Sequence, residues 1–518
     1  MNSYARRLIG WTALTSAAVL VAAACSGGSG GTGTPTAGGD LMIGVAQDAV
    51  SMNATNTFDN NSIFIFEQIM QPLFTVTADG KDTQPLLATG YSLSPDNLTY
   101  TIKLRPNVKF SNGAPMTSAD VKFSIDADTK TGDAGWGYIN AAIDSVTAPD
   151  PSTVVVKVKY PWAPLIADLS LFSNGIVPKD YGGQSAADFY AHPVGTGPFM
   201  WGEWQKGRYL KLVKNPNYWE AGLPHLDSVQ WNVIPDDNTR MLQLQSGQIQ
   251  VDALPTWSTM NALKSQPTIH AQTFPSTELD YIAMNEQKEP FGDVHIRRAI
   301  SYAIDRKALV STALFGQGTP ANSLFMPGVP FYDPNTKGLQ FDVAAAKAEM
   351  AQSSKPNGFT TTLAIQSGNS TEQTDAQIVQ SELKDIGITV NIAQIDPTTQ
   401  HAQVQQGNYE MAMSIWTMDI ADPDEWVTFA VNPNGGSHSA FTYYNNPAVI
   451  ALAKQGQSQT DPAQRQKIYS DLQNQVAADA PLAWLYYVPY AYPSSTKVTG
   501  FSVTPLGNYP LQGVSLSK

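Results

Sequence analysis

The alternation of apolar and polar residues predicts the first elements of the chain. Residues 41–46 begin the folded body as a strand, and residues 98–105 (LTYTIKLR) alternate strictly, which is typical of a half-buried strand. A further short strand is predicted over residues 108–110. Thr117 and Asp120 have the spacing of a capping box, so we expect a helix to begin there.

A second periodic region predicts an α/β lobe. Residues 361–366 are expected to form a strand, residues 373–386 a helix, and residues 388–392 the next strand. The apolar face of that helix is formed by Ile378, Val379, Leu383 and Ile386. Gly387 suits the end of the helix. A strand, a helix and a strand with short connections imply a parallel pair with a right-handed crossover.

The strand that follows ends in a candidate binding segment. Residues 409–415 alternate, and the strand ends at residues 416–419, which read WTMD. In open α/β sheets, ligands bind at the carboxyl ends of the strands. Asp419 is therefore a carboxylate where a ligand is expected, with Trp416 beside it. The alternative is a solvated loop acid next to a core tryptophan.

The N-terminal segment has the pattern of an export signal. Two arginines precede a mostly apolar stretch over residues 8–21, and small residues then lead to Cys25, the only cysteine of the chain. The stretch is too short and too interrupted for a comfortable membrane span. We therefore assign residues 1–24 to a signal peptide and residues 25–39, which are rich in glycine and serine, to a flexible tether.

Cys25 is predicted to carry a lipid. A cysteine as the first mature residue resembles the bacterial lipoprotein pattern, in which that thiol is lipidated. The residue three positions before it, usually leucine, is Ala22 here, and Val21 precedes it. An ordinary secreted protein with an incidental cysteine is the alternative. The position at the signal boundary favours lipidation, because an unpaired thiol in an exported protein otherwise needs an explanation.

Composition narrows the class of protein. The 518 residues, enough for about three domains, include 31 Lys and Arg against 44 Asp and Glu, giving a formal net charge of −13. This acidic balance argues against nucleic acid and against anionic lipid bound through basic patches. Hydrophobic residues make up 42% and charged residues 14%, which is typical of a globular protein. With Cys25 used for the anchor, no disulfide, cysteine zinc site or catalytic thiol is expected.

Short catalytic and cofactor motifs are missing from the sequence. The six histidines lack metal-ligand spacing, and neither the H-E-x-x-H nor the P-loop pattern occurs. A match to G-x-S-x-G at residues 27–31 lies in the tether, where the required strand-to-helix turn cannot form. We therefore expect no metal and no cofactor. Carboxylates are plentiful, so a glycosidase pair stays open on the sequence alone.

Residues 98–123 resemble the signature of the family 5 extracellular solute-binding proteins, which serve ABC importers of peptides, nickel and other solutes. The positions that carry the resemblance are Arg105, Phe110, Asn112, Gly113, Pro115, Thr117, Asp120, Val121 and Phe123. Asn107 and Asn112 stand where acids are common. Similar segments cover nearly the whole mature chain, at residues 192–199, 215–219, 284–305, 342–347 and 357–359. Most of these matches reflect packing or turn geometry.

The resemblance implies an α/β fold with two lobes. It is the periplasmic-binding-protein-like fold of the class II type, with an additional small domain and a hinge between the lobes. Lobe I is predicted to comprise residues 40–88, 193–285 and 488–518. Residues 89–192 form the extra domain inserted in lobe I, and residues 286–487 form lobe II.

The resemblance also implies an anchor for the ligand. Peptide-binding members hold the peptide as an extended strand, and an aspartate in a W-x-x-D-x-x-(D/E)-P segment binds its amino group. Residues 416–423, WTMDIADP, place Asp419 on that aspartate. Asp422 is expected to organise the turn before Pro423. The predicted ligand-binding residues are Asn53, Trp416, Thr417, Met418 and Asp419. No cation for a peptide carboxylate is identified, so ligand length and class stay open.

The sequence therefore predicts a lipid-anchored, non-enzymatic substrate-binding protein of an ABC transporter. It would act as a monomer on the outer face of the cytoplasmic membrane, capture oligopeptides or dipeptides, and deliver them to the permease and ATPase subunits. No nucleic acid is expected as a partner. The alternatives are a receptor for a nickel chelate or an oligosaccharide, a secreted hydrolase, and a surface adhesin or sensor.

Overall fold

A mixed seven-stranded sheet organises the first large part of the structure, a computed structural model that describes residues 35–36, 38–435 and 437–517. In spatial order its strands are Ile269–His270, Ser494–Ser495, Val251–Asp252, Asp40–Val45, Ser228–Val233, Tyr209–Lys214 and Phe199–Gln205. The predicted first strand is confirmed as Asp40–Val45, which is parallel to both of its neighbours. We call the part of the chain around this sheet lobe I.

A six-stranded sheet organises the second part, which we call lobe II. Its strands, in spatial order, are Thr319–Pro320, Leu482–Ala491, Thr273–Met284, Met411–Trp416, Phe359–Gln366 and Ile388–Ile395. The last two strands are parallel over their full length and are joined by the helix Ser370–Lys384. This confirms the predicted strand, helix and strand. Gly387, at φ 89°, adopts the left-handed conformation that glycine tolerates after a helix.

An antiparallel four-stranded sheet forms the core of the extra domain. Its strands, in spatial order, are Ala88–Leu93, Thr99–Leu104, Thr153–Val158 and Ile143–Asp150. The predicted helix is Ser118–Thr129, and the Asp120 carboxylate accepts hydrogen bonds from the Thr117 backbone at 2.7 Å and hydroxyl at 2.8 Å. The predicted strand over residues 108–110 is wrong. Phe110 donates to Ala114 across a tight loop, so the pairing ends after one bridge, between Lys109 and Pro115.

Two small sheets and the helices complete the described residues. Phe74–Val76 pairs with Thr83–Pro85, and Ser515–Ser517 pairs with Pro35–Thr36 and Val498–Thr499. The α-helices are Asn60–Phe66, Ser118–Thr129, Leu165–Asp168, Ala186–Ala191, Asp237–Ser246, Trp257–Leu263, Val294–Ala303, Arg306–Ala313, Val343–Gln352, Ser370–Lys384, Pro397–Gln405, Asp424–Val431, Pro447–Ser458 and Pro462–Asp479. Shorter helical turns are Gly132–Ala134, Trp136–Asn140, Phe172–Asn174, Lys179–Gly183 and Ser439–Tyr443. Within the described ranges, no helix is long and apolar enough to span a membrane.

The predicted domain boundaries stay a prediction, and one strand argues for shifting them. Thr273–Met284 pairs with Met411–Trp416 on one side and with Leu482–Ala491 on the other, inside the six-stranded sheet. The boundaries predicted from the sequence place residues up to 285 in lobe I. Because a strand hydrogen-bonded on both sides belongs to its sheet, we propose that this strand be counted with lobe II.

Candidate ligand-binding cleft

The segment around Asp419 lies where the two lobes meet. The strand Met411–Trp416 ends before it, at the sheet edge that the sequence predicts. Met418 is fully buried in the apolar core of lobe II, whereas Ile420 is fully buried in the apolar core of lobe I. Asp419, between these two residues, is therefore held at the junction of the lobes, with its side chain partly exposed.

Lobe II fixes the backbone of this segment by two side chains. The Met418 amide donates to Thr277 Oγ1 at 2.9 Å. Glu425, in the first turn of the helix Asp424–Val431, accepts at its Oε2 atom from the Asp419 amide at 2.9 Å and from the Ile420 amide at 3.3 Å. These hydrogen bonds fix the backbone of Asp419 before any ligand arrives.

Glu425 and Asp419 are two acids in one poorly hydrated place. Glu425 is only 3% exposed, and its carboxyl group lies within hydrogen-bonding reach of the Asp419 carboxyl group. Burial raises the pKa of Asp419 to about 6. Burial also raises the pKa of Glu425 well above its usual range, and the neighbouring charge of Asp419 adds to that increase.

A third carboxyl group, that of Glu67 on lobe I, lies within electrostatic reach of Asp419. Glu67 directly follows the helix Asn60–Phe66, and its Oε1 atom accepts a hydrogen bond from the Asn508 amide group. Its Oε2 atom is buried and has no partner among the described residues. Burial raises the pKa of Glu67 to about 8; the Asn508 hydrogen bond opposes this increase and the charge of Asp419 adds to it. We call Glu67, Asp419 and Glu425 the Asp419 cluster.

Aromatic rings form part of the surroundings of this cluster. The Trp416 indole stacks on Phe429, with ring centroids 3.6 Å apart, and on Trp426, at 5.6 Å. Its Nε1 atom is buried without a partner among the described residues. Burial raises the pKa values of Tyr138 and Tyr490 well above the usual range, and the charge of Asp419 contributes to both increases. Both phenols therefore lie near the cluster.

The cluster has no cation of its own. Across residues 35–36, 38–435 and 437–517, no Lys, Arg or His forms an ion pair with Glu67, Asp419 or Glu425. In the same part of the chain, no group of three or more His, Cys, Asp or Glu side chains is arranged to hold a metal ion. Without such a partner, burial dominates, and the pKa values of Glu67, Asp419 and Glu425 are all raised.

A second carboxylate cluster lies beside the first. Asp422 Oδ1 accepts from the Asp424 amide at 2.9 Å, which confirms its predicted role in the turn. The sequence did not reveal that Asp422 also forms a bidentate ion pair with Arg465, with Nη2 to Oδ1 at 2.8 Å. Asp168 of the extra domain, fully buried, lies in the electrostatic field of Asp422, Asp424 and Arg465. We call these four residues the Arg465 cluster.

The other predicted site residues have different outcomes. Asn53 Oδ1 accepts from the Thr55 amide at 3.1 Å and hydroxyl at 2.9 Å, which is a local turn, and no described contact joins Asn53 to Asp419. Thr417 is partly exposed beside Trp416. Cys25 lies outside the described residues. The ligand roles of all five predicted residues stay predictions, and the structure adds Glu67 and Glu425 to the segment.

Comparison with known proteins identifies the family. Residues 82–438 match the model of the bacterial extracellular solute-binding proteins, family 5. The chain belongs to this family. It is 30% identical over 475 residues to the glutathione-binding protein GsiB of Pectobacterium atrosepticum, which covers 90% of this chain and 92% of that protein. The resemblance inferred from residues 98–123 is thereby confirmed.

Solved structures agree in fold. The periplasmic binding protein DppA from Helicobacter pylori, in complex with the peptide STSA, matches with a TM-score of 0.83 and 27% identity, over 93% of this chain and 99% of that one. The oligopeptide-binding protein AppA from Bacillus subtilis, in complex with a nonapeptide, matches with a TM-score of 0.81 and 26% identity, over 94% and 100%. The predicted α/β periplasmic-binding-protein fold is confirmed.

The family assignment fixes the general function. The chain is an extracytoplasmic substrate-binding protein of an ABC importer, and its relatives are solute-binding proteins rather than enzymes. The segment at Asp419 combines the sequence pattern, contacts with both lobes and a nearby unpaired polar atom, Trp416 Nε1.

Proposed function

We propose that this protein captures peptides with a free amino terminus, either dipeptides or oligopeptides, and delivers them to the permease of its importer. The single observation that carries the proposal is the position of Asp419, whose neighbours Met418 and Ile420 are buried in opposite lobes. A ligand bound to Asp419 contacts the junction itself, so its binding energy favours the closed arrangement of the lobes.

The chemistry of the junction favours an ammonium group. An ammonium that leaves water needs a charge-assisted partner, and Asp419 offers a carboxylate whose backbone is already fixed by Glu425. Acids without a cation are unfavourable when buried, so an arriving positive charge gains interaction energy from them. An uncharged oligosaccharide would not gain this energy. Peptide binding by the relatives DppA and AppA supports the same class of ligand.

Calorimetry with one peptide in two forms tests the proposal. We expect Ala-Ala-Ala to bind the wild-type protein and N-acetyl-Ala-Ala-Ala to bind much more weakly. Asp419→Asn should lower the affinity for the free-amine peptide about 30-fold, which corresponds to roughly 2 kcal/mol, the contribution of a hydrogen bond to a charged group. The affinity for the acetylated peptide should barely change. Asp471→Asn, an exposed acid on lobe II, is the matched control. Equal losses for both peptides would contradict the anchor role of Asp419.

Native mass spectrometry of the purified protein separates the remaining alternatives. A co-purified peptide supports the proposal, whereas a nickel complex or a sugar would replace it with another solute of the same family. Turnover of a peptide or glycan would instead indicate a hydrolase. Each outcome is read from the mass of the bound species before and after incubation.

We also propose that Cys25 is lipidated and tethers the receptor, as a monomer, to the outer face of the cytoplasmic membrane. The support is the sequence pattern, in which small residues precede the only cysteine and residues 26–39 follow as a linker. Intact-mass analysis of the mature protein should show a diacylated N-terminal cysteine. Cys25→Ser should release the protein from the membrane fraction without changing peptide affinity, and an unmodified mature cysteine would contradict the anchor.

A further inference from the structure

The strand Thr273–Met284 contains a β-bulge shortly after it begins. Its pairing with the strand Leu482–Ala491 shifts register between Phe274 and Glu278. Pro489 lies opposite this shift, and proline has no N–H to donate, so regular pairing is interrupted there. Bulges re-aim side chains and are frequent next to binding and active sites. The bulge therefore frees the residues within it for contacts outside the sheet.

Thr277, the last residue of the bulge, contacts two other parts of the chain. It is 2% exposed, and its Oγ1 atom accepts from the Met418 amide at 2.9 Å and donates to the Met418 carbonyl at 3.4 Å. Its own amide donates to the Pro505 carbonyl at 2.8 Å. One side chain thus holds both backbone polar groups of the residue before Asp419, and the same residue joins them to a loop near the C-terminus.

This C-terminal loop, residues 503–509, contacts the cores of both lobes. Val503 and Tyr509 are buried in the apolar core of lobe I, whereas Leu506, between them, is buried in the apolar core of lobe II. The segment that carries the anchor has the same arrangement, with neighbouring side chains in opposite cores. Two segments that each link the lobes are therefore joined to each other at Thr277.

We infer that Thr277 is a positioning residue for Asp419, and that the C-terminal loop holds Thr277 in place for this role. The inference rests on the proposed function, because it takes Asp419 as the partner of a peptide amino group. Glu425 restrains the two amides that follow Met418, so removal of the Thr277 hydroxyl loosens the segment without releasing it. A charge-assisted hydrogen bond depends on geometry, so a less fixed carboxylate binds an ammonium more weakly.

Calorimetry with Thr277→Val, which removes the hydroxyl and keeps the branched shape, tests the inference. The affinity for Ala-Ala-Ala should fall about tenfold, as expected for a lost hydrogen bond, and that for N-acetyl-Ala-Ala-Ala should stay within about twofold. Thr277→Ser keeps the hydroxyl and should restore the affinity for Ala-Ala-Ala to within about threefold of wild type. Thr361→Val is the matched control. It removes another buried hydroxyl of lobe II, which donates to Glu410 at 3.0 Å, and should change neither affinity.

Nuclear magnetic resonance reads the position of the segment in the unliganded protein. With isotope-labelled methionine, the Met418 amide signal is identified by its loss in Met418→Leu. This signal should shift in Thr277→Val, which removes the acceptor of the amide. It should also shift in Leu506→Ala, which removes the contact of the C-terminal loop with the core of lobe II. The amide signal of Met350, in the helix Val343–Gln352, should stay in place in both variants.

The outcomes separate this inference from the proposed function. Equal losses for both peptides in Thr277→Val, or no loss for Ala-Ala-Ala, would overturn the positioning role and leave Asp419 as the anchor. A Met418 signal that is unmoved in Leu506→Ala would overturn the part assigned to the C-terminal loop. Failure of the wild-type protein to bind any free-amine peptide would overturn both proposals. If Thr277→Val does not fold, Thr277→Cys, whose thiol is a weak hydrogen-bonding group, is measured with the same peptides.

Discussion

Two carboxylate clusters lie side by side in this protein, and they differ in one component. The Arg465 cluster places Asp168, Asp422 and Asp424 around a guanidinium supplied by the helix Pro462–Asp479. The Asp419 cluster gathers a similar number of acids around no described cation. In the Arg465 cluster the chain itself provides the neutralising charge; in the Asp419 cluster, on the proposed function, the amino group of the ligand provides it.

The sequence alternates between the two clusters within seven residues. Asp419 and Glu425 belong to one, and Asp422 and Asp424, which lie between them, belong to the other. Neighbouring acids of the same type thus have different partners, because Arg465 pairs with Asp422 and not with Asp419. The comparison can be tested by removing the cation from one cluster and acids from both.

The largest effect is expected from Arg465→Met. The variant leaves buried Asp422 without its bidentate partner and removes the hydrogen bond from Arg465 Nε to the Gly456 carbonyl. Breaking a buried pair from one side typically lowers the free energy of unfolding by about 3–5 kcal/mol. Differential scanning calorimetry should show a much lower Tm, whereas exposed Arg208→Met should leave it unchanged. A wild-type Tm would show that the guanidinium is not needed there.

The next largest effect is expected from a comparison of peptide affinity after substitution of two adjacent residues, Asp424 and Glu425. Glu425→Ala should weaken binding of Ala-Ala-Ala about tenfold, because the Asp419 and Ile420 amides lose the acceptor that fixes the anchor segment. Asp424→Asn should keep the affinity within about twofold and change only the Tm, because that carboxyl group belongs to the Arg465 cluster. Calorimetric titration of both variants measures the difference. Similar losses of affinity would mean that the two clusters act as one.

A smaller effect concerns pH and the unliganded protein. Burial raises the pKa of Glu67 from 4.5 to about 8, so the folded state binds more protons than the unfolded state between these values. The free energy of unfolding should therefore fall as pH rises from 5 to 8. The titratable groups that interact with Asp419 include Glu67, Glu425, Tyr138 and Tyr490, and Glu278 in turn acts on Tyr490. The pKa values of these carboxyl groups are all raised, so they change stability in the same direction, and the phenols stay neutral between pH 5 and pH 8.

The Tm should fall as the pH rises from 5 to 8, and Glu67→Gln should make this decrease smaller. Calorimetry at matched ionic strength measures the Tm of both proteins. Peptide affinity should show the opposite trend and increase with pH, because a cationic ligand favours the ionised acids and displaces their protons. Titration in buffers of different ionisation enthalpy counts the protons released. An affinity that falls between pH 5 and pH 8 would contradict a cationic ligand.

The smallest expected effect is optical. Trp416, stacked on Phe429 with its Nε1 atom unpaired, should change its fluorescence when peptide occupies the cleft. The chain has 11 tryptophans, so the change is a small part of the total emission. Trp416→Phe should abolish it while keeping the stacking. A signal that persists in this variant would place the change at another tryptophan.

Local pattern in the sequence predicts much of the fold and one half of the site. The parallel unit around Ser370–Lys384 follows from periodicity over neighbouring residues, and Asp419 follows from its place after a strand. Glu67 could not be found in this way, because only tertiary packing brings it to Asp419 from the other lobe. Arg465 was missed for the same reason. Glu425 lies two residues after Pro423, so a search for acids next to the predicted segment would have found it.

The placement of Met418 and Ile420 in different lobes has a kinetic consequence. Because lobe II holds the backbone of this segment, opening would draw the Ile420 side chain out of the lobe I core and leave its amide protected by Glu425 alone. Exposing such a side chain costs about 1.5–3 kcal/mol. Each opening therefore increases the solvent accessibility of a single backbone amide for a short time. The rate of hydrogen exchange at the Ile420 amide should therefore report how often the empty receptor opens.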